Sequence, residues 1–174
     1  MAYHMDKLKI LLIEKNWHMR SLTKSILQAF GVNSIHSIAD PITGYEMLKK
    51  TEYDIVIVDW MVEPMNGLDF TKKVRTDPDS PCPYVPIILM TGYSERSRVI
   101  AARDSGITEF LAKPFTSRSM YGRIEHIIEK PRQFIISKKY CGPDRRRINN
   151  PDYKGVERRR NQQYTPKSVE KVYL

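Results

Sequence analysis

A chain of 174 residues, 41% of them hydrophobic, suffices for one domain of ordinary size with an appendage. Its net charge of +9 is unevenly held: residues 1–130 carry 17 Lys+Arg against 16 Asp+Glu, whereas residues 131–174 carry 12 against 4. The basicity therefore belongs to the tail and does not mark the nearly neutral folded part as a nucleic-acid binder. Cys82 and Cys141 have no metal-ligand spacing and are expected as free thiols in a reducing compartment. No apolar run reaches the ~18 residues of a spanning helix, and the N-terminus lacks a signal-peptide core, so cytoplasmic residence without membrane contact is expected.

Lys7 to Ile13 reads as a buried strand. Met19 to Phe30 carries apolar residues at 19, 22, 26, 27 and 30, a helical stripe, and Gly31 stops it. Ser34 to Ile38 alternates like a strand, and Pro41 opens a helix that runs to Lys50. The third strand, Ile55-Val56-Ile57-Val58, ends in Asp59. After Pro64, Asn66 and Gly67 a helix begins near Leu68. Asp77 to Pro86 holds four prolines and is an irregular connector. Ile87 to Met90 is the fourth strand, and Ser94 is placed to cap a helix from Glu95 to about Asp104. Glu109 to Ala112 is a short fifth strand. Thr116 to Glu129 is the last helix, with Met120, Ile124, Ile127 and Ile128 inward.

Strands alternating with helices predict a five-stranded parallel α/β sheet with helices on both faces, a doubly wound domain over residues 1–130. Such sheets place their sites outside the carboxyl ends of the strands. Glu14, Asp59, Thr91 and Lys113 each follow a strand, so all four gather at that edge. A carboxylate at a strand end, a hydroxyl and an ammonium form a set suited to accepting a phosphoryl group. Asp59 is the expected acceptor and should be exposed. Nearby acids would hold a magnesium ion, which prefers oxygen ligands, and the backbone carbonyl of Met61 could be a further ligand. Thr91 and Lys113 would bind the added phosphoryl oxygens.

At this point residues 7–129 resemble the receiver domain of bacterial two-component response regulators. The resemblance rests on Asp59 with Met65-Asn66-Gly67, on Met90-Thr91-Gly92, and on Lys113-Pro114-Phe115. It implies a flavodoxin-like fold and phosphotransfer from a sensor histidine kinase or phosphotransferase to Asp59. It also implies that Thr91 and the aromatic at Phe110 move together on activation. An output protein would then be met through the fourth helix, fifth strand and fifth helix. Three departures stand out. Receivers carry adjacent acids after the first strand, and here the pair is Glu14-Lys15. Phe110 lacks the hydroxyl of the usual tyrosine. The loop proline sits one place late, at Pro64 after Glu63. The metal set is therefore Glu14, Asp59 and the Met61 carbonyl, weakened by Lys15, with magnesium weak or dispensable. Alternatively Lys15 reaches along its stem to solvent and leaves the site acidic.

Residues 131–174 form a basic, largely irregular tail with no second globular domain expected. Phe134-Ile135-Ile136 is one short apolar patch, with Phe134 and Ile136 expected to pack on the domain and the arm from residue 142 expected to be dispensable for stability. Gly142-Pro143-Asp144-Arg145-Arg146-Arg147 and Gly155-Val156-Glu157-Arg158-Arg159-Arg160 repeat a Gly-x-acid-Arg-Arg-Arg unit. The segment is too charged and too poor in aliphatics to fold alone. The sequence thus predicts a stand-alone phosphorylation switch acting through protein contacts. Two alternatives stay open: a phosphorylation-deficient adaptor, and a receiver that gates nucleic-acid binding through the arginine clusters. No nucleophile–base pair or Gly-rich phosphate loop points to an enzyme with outside substrates. A homodimer is left open. His18, His36 and His126 have no ligand spacing, and Trp17 and Trp60 are expected as packing residues, with Trp60 adjoining Asp59.

Overall fold

The computed structural model describes residues 3–92, 96–137 and 140–144. Strands β1 (Lys9–Ile13), β2 (Ser34–Ile38), β3 (Ile55–Asp59), β4 (Ile87–Thr91) and β5 (Glu109–Ala112) alternate with helices α1 (Trp17–Ala29), α2 (Pro41–Lys50), α3 (Gly67–Thr76), α4 (Arg96–Asp104) and α5 (Ser117–Glu129). All five strands are parallel, in the order β2-β1-β3-β4-β5. This is the doubly wound, flavodoxin-like arrangement that the sequence predicts. Among the described residues no helix is long and apolar enough to cross a membrane.

The strands are apolar on both faces because both faces are covered. Ile10, Leu12, Ile55, Ile57, Ile88, Met90 and Leu111 pack with Leu27 of α1 and with Met120, Ile124, Ile127 and Ile128 of α5. The alternate residues Leu11, Ile13, Val56, Val58, Ile87 and Leu89 pack with Tyr45 and Leu48 of α2, Phe70 and Val74 of α3, and Ala102 of α4. The inward face expected for α5 is thus the one observed. In α1 the stripe is rotated: Thr23 and Leu27 are buried, whereas Leu22 is 51% exposed. Trp17, at the first position of α1, is also exposed and not a packing residue. Helix starts follow local capping chemistry. Asp40 accepts from the Ile42 and Thr43 N–H groups with Pro41 behind it, and Thr116 and Ser119 form a reciprocal capping box on α5.

Beyond α5 the apolar patch is part of a hairpin, β6 (Phe134–Ser137) antiparallel to β7 (Tyr140–Pro143). Phe134 and Ile135 are buried, while Ile136, expected to pack, is on the exposed side. The hairpin docks on a buried cation that the sequence reading passed over. Arg75, in the last turn of α3, donates through Nε to the Gly106 carbonyl at 2.9 Å and through Nη1 to the Pro83 carbonyl at 2.7 Å. Its guanidinium carbon lies 5.0 Å from the Phe134 ring centroid, and Tyr84 meets the same ring edge-on. Burial pulls the Arg75 pKa down to about 10, which still leaves a cation at neutral pH. Gly106 has φ +94, and a Cβ there would stand 2.6 Å from the Cys141 carbonyl oxygen, so only glycine lets the hairpin approach. Arg132 adds hydrogen bonds to the carbonyls of Thr108 and Asp144.

Tyr84 precedes β4 and Thr108 precedes β5, so the hairpin closes the edge where the strands begin. Gly142 and Pro143 pair with Ile135 and Phe134 inside it, so the arm expected from residue 142 would start within a strand. Arg145, Arg146, Arg147, Arg158, Arg159 and Arg160 lie outside the described residues. Cys82 and Cys141 are free thiols, and burial pushes Cys82 up to about 11.

Candidate functional site

Glu14 follows β1, Asp59 closes β3, Thr91 closes β4 and Lys113 follows β5, so the parallel sheet presents all four at its carboxyl edge. Three of them are in direct contact. Lys113 Nζ donates to Glu14 Oε2 at 2.6 Å and lies 2.7 Å from Asp59 Oδ1. Asp59 was expected to be exposed but is only 5% so, and Glu14 only 2%. Lys113 and the backbone after Asp59 cover it. Two carboxylates withdrawn from water repel each other unless a cation stands between them. Burial alone would pull the Lys113 ammonium's pKa down. The hydrogen bonds it donates to Asp59 and Glu14, with their charges, outweigh that and hold it above the ordinary 10.5.

Each carboxylate is also held by backbone. Asp59 Oδ2 accepts the Met61 N–H at 3.0 Å, and Glu14 Oε1 accepts the Asn16 N–H at 2.9 Å. Asn16 in turn caps α1, its side chain accepting the Met19 N–H. Arg20, one turn into α1, reaches back to the Glu14 carbonyl at 2.6 Å and the Lys15 carbonyl at 3.3 Å. It ties down the backbone on which Glu14 stands. Neither Asn16 nor Arg20 was picked out from the sequence. The spacing of Asn16 just before a helical stripe was the available signal for the first; nothing local marks the second.

The loop after β3 returns tightly beneath Asp59. Gly67 N–H donates to the Trp60 carbonyl at 3.0 Å, and Asn66 caps α3 by accepting from the Leu68 and Asp69 N–H groups. A Cβ on Gly67 would lie 2.5 Å from the Asp59 carbonyl oxygen and 2.8 Å from Leu89 Cδ1. The Asn66-Gly67 pair therefore has a physical reason: one residue starts the helix, and the other lets it start this close to Asp59. Trp60 is half-buried beside the site, with the Arg98 guanidinium carbon 5.8 Å from its ring centroid. Met61 turns its side chain outward, 57% exposed, and keeps its backbone at the pocket.

Thr91 is fully buried, and its carbonyl accepts the Lys113 N–H at 2.7 Å, which links the ends of β4 and β5. Phe110 is half-buried, opposite Leu89 in register, and packs with the α2–α3–α4 core rather than with the carboxylates. Lys15 does not enter the pocket. Its Nζ stands 2.6 Å from Glu63 Oε2, with the two side chains 57% and 73% exposed. The hydrogen bond from Lys15 holds the Glu63 carboxyl below its ordinary value. His126 and Arg123 of α5 meet the buried Glu109 carboxylate at the start of β5, at 2.8 Å and 3.3 Å. That cluster also escaped the sequence reading, because the spacing that joins it crosses two elements.

Glu14 and Asp59 converge on one cationic group, that of Lys113, and offer hard oxygens beside the Met61 backbone. That donor set fits magnesium. Among the described residues no group of three or more His, Cys, Asp or Glu could hold a metal ion. The ion would therefore rely on two carboxylates and keep most of its waters.

Residues 10–125 match the family model for the response regulator receiver domain. The chain is similar to chemotaxis protein CheY-3 of Vibrio cholerae, 30% identical over 123 residues that cover 71% of this chain and 93% of the relative. The structure of the chemotaxis response regulator CheY4 of Vibrio cholerae superposes with a TM-score of 0.63 at 23% identity, covering 69% of this chain and 98% of that one. The receiver domain of a sensor histidine kinase from Pseudomonas aeruginosa, described with a magnesium ion coordinated in its active-site cleft, gives a TM-score of 0.60 at 24% identity, covering 68% and 94%. The chain belongs to the response regulator receiver domains of two-component signalling.

Proposed function

We propose that Asp59 accepts a phosphoryl group from a sensor histidine kinase or phosphotransferase and that the change is passed on through protein contacts. The observation that carries this reading is the placement of Lys113 between Asp59 and Glu14. An Asp59 carboxylate oxygen attacks phosphorus, the phosphorus–nitrogen bond of the donor phosphohistidine breaks, and the electron pair leaves with the imidazole. The transfer asks for positioning and charge stabilisation more than for covalent chemistry by the protein. Met61 N–H fixes the Asp59 carboxylate, the close Gly67 approach packs against the Asp59 backbone, and Asn16 N–H fixes Glu14. Lys113 can shift one hydrogen bond from Asp59 to a phosphoryl oxygen without leaving Glu14. Bound at Glu14, Asp59 and the Met61 carbonyl, magnesium would neutralise charge on the phosphoryl oxygens. Thr91 would supply a hydroxyl to the same group, and Phe110 would follow it.

Output is assigned to the face of α4, β5 and α5. Val99 and Ile100 of α4 are exposed apolar residues, 38% and 42%, and the Glu109–His126 contact fixes α5 to β5. The arginine clusters 145–147 and 158–160 are assigned to an interaction arm, and the free thiols support action in the cytoplasm. The test is intact-mass analysis after incubation with a small phosphodonor. One added phosphoryl group in the wild type and none in Asp59→Asn is the expected result. Labelling that survives the substitution overturns the reading. A second reading, a phosphorylation-deficient adaptor, is favoured by one observation, the lysine at the second acid position. It predicts no labelling of the wild type and partner binding that ignores phosphodonor. Nucleic-acid binding through the arm would instead show affinity falling steeply with salt.

A further inference from the structure

Two of the departures from the receiver pattern touch each other. Lys15 stands where a second acid is usual, and Glu63 stands where the loop proline is usual. Lys15 Nζ and Glu63 Oε2 are 2.6 Å apart. We propose that the two are one unit: Glu63 holds the Lys15 ammonium away from the pocket, so that Glu14 and Asp59 stay available to a divalent cation. This rests on the phosphoryl-acceptor reading above and assigns Glu63 a positioning role in it.

The backbone at Lys15 is already fixed. Its carbonyl accepts from Arg20, and the flanking residues are tied by the Asn16 N–H to Glu14 Oε1 contact. Only the flexible stem decides where the ammonium goes. Its other acidic candidates are Glu14 and Asp59, which already share Lys113. A second ammonium on those two carboxylates would take oxygens that a metal needs and place a positive charge beside it. Glu63 offers a carboxylate outside the pocket and cancels the charge locally. Because both side chains are more than half exposed, the pair contributes little to stability, and variants of it should fold.

Isothermal titration of the full chain with magnesium alone, on the wild type, Lys15→Met, Glu63→Gln and the double variant, tests the proposal. Glu63→Gln should weaken magnesium binding roughly three- to tenfold at low salt, by releasing Lys15 toward the pocket. Lys15→Met should strengthen it. In the Lys15→Met background, Glu63→Gln should change affinity less than about twofold, since there is no ammonium left to release. Equal effects of Glu63→Gln in both backgrounds, or none in either, overturn the pair while leaving the metal site intact. No magnesium binding in any of the four proteins contradicts the metal part of the phosphoryl-acceptor reading, and the pair falls with it.

Discussion

Lys113 reaches Asp59 across an intervening strand. β4 lies between β3 and β5 in the sheet, yet Lys113 Nζ stands 2.7 Å from Asp59 Oδ1. The link works because Lys113 follows the short β5 at once and its N–H is held by the Thr91 carbonyl at the end of β4. The stem then spans the strand ends and delivers a cation between two acids that would otherwise repel.

The pH dependence of that cation follows from its direction of shift. The Lys113 pKa is raised in the folded state above the ordinary 10.5. Its contribution to stability is therefore complete below the unfolded value and is lost as pH rises through the folded one. Thermal melts of the wild type and Lys113→Met between pH 7 and about 12 should differ by a constant amount up to pH ~10 and converge above it. A difference that shrinks between pH 7 and 9 would contradict the pairing. Lys113→Ala should still allow some labelling of Asp59 but lose partner binding; normal signalling in that variant would contradict its role as the coupling residue.

Gly67 is predicted to be intolerant of a single methyl group. A Cβ would meet the Asp59 carbonyl oxygen at 2.5 Å, and backbone cannot yield as a side-chain tip can. Gly67→Ala should cost about 1–3 kcal/mol by chemical denaturation and slow labelling of Asp59. Wild-type stability in Gly67→Ala would show that the loop has room the geometry denies.

Because Phe134 and Ile135 are buried in the hairpin, the stability of the domain is predicted to depend on residues beyond Lys130. A chain ending at Lys130 loses the burial of Phe134 and Ile135 and uncovers Arg75, a loss of roughly 3–5 kcal/mol. Its melting temperature should fall on the order of 10 °C. A chain ending at Asp144 should melt like the full chain. Arg75→Ala should cost about 2–4 kcal/mol through its two buried carbonyl partners and its packing on Phe134. Equal melting of the two truncations would detach the hairpin from the domain's cooperative unit.

The five-stranded order of elements could be read from the sequence because β1, β3 and β4 are apolar runs, β2 alternates, and capping, proline or glycine residues mark most helix ends. Pro41–Lys50, Ile55–Asp59 and Glu109–Ala112 coincide with the observed elements. Glu14, Asp59, Thr91 and Lys113 were legible for the same reason: a parallel sheet turns strand-end positions into neighbours. Contacts made by side chains that cross elements were not legible. Arg75 sits in an ordinary polar position of an amphipathic helix, and only the hairpin over it shows why it is buried. The hairpin itself was hidden by charge: Lys138 and Lys139 interrupt two short runs that look too poor to pair. Lys15 was located correctly in the chain, but its direction depended on Glu63, which the sequence places far away.

Trp60 should report on the site through ring and cation together. Its half-buried ring lies beside Asp59 and near Arg98. Beryllofluoride with magnesium should change the intrinsic emission of the wild type, and the change should be absent in Trp60→Phe. Retention of the full change in that variant would assign it to Trp17 and place Trp60 away from a working pocket.

Chemical trapping tests most directly whether the phosphoryl group resides on Asp59. Borohydride reduces an aspartyl phosphate to homoserine, which peptide mass spectrometry locates by residue. After incubation with a phosphodonor, homoserine is expected at position 59 and Glu14 is expected unmodified. Reduction product at Glu14 or elsewhere, or an unmodified position 59 in protein that has gained a phosphoryl group, would contradict it.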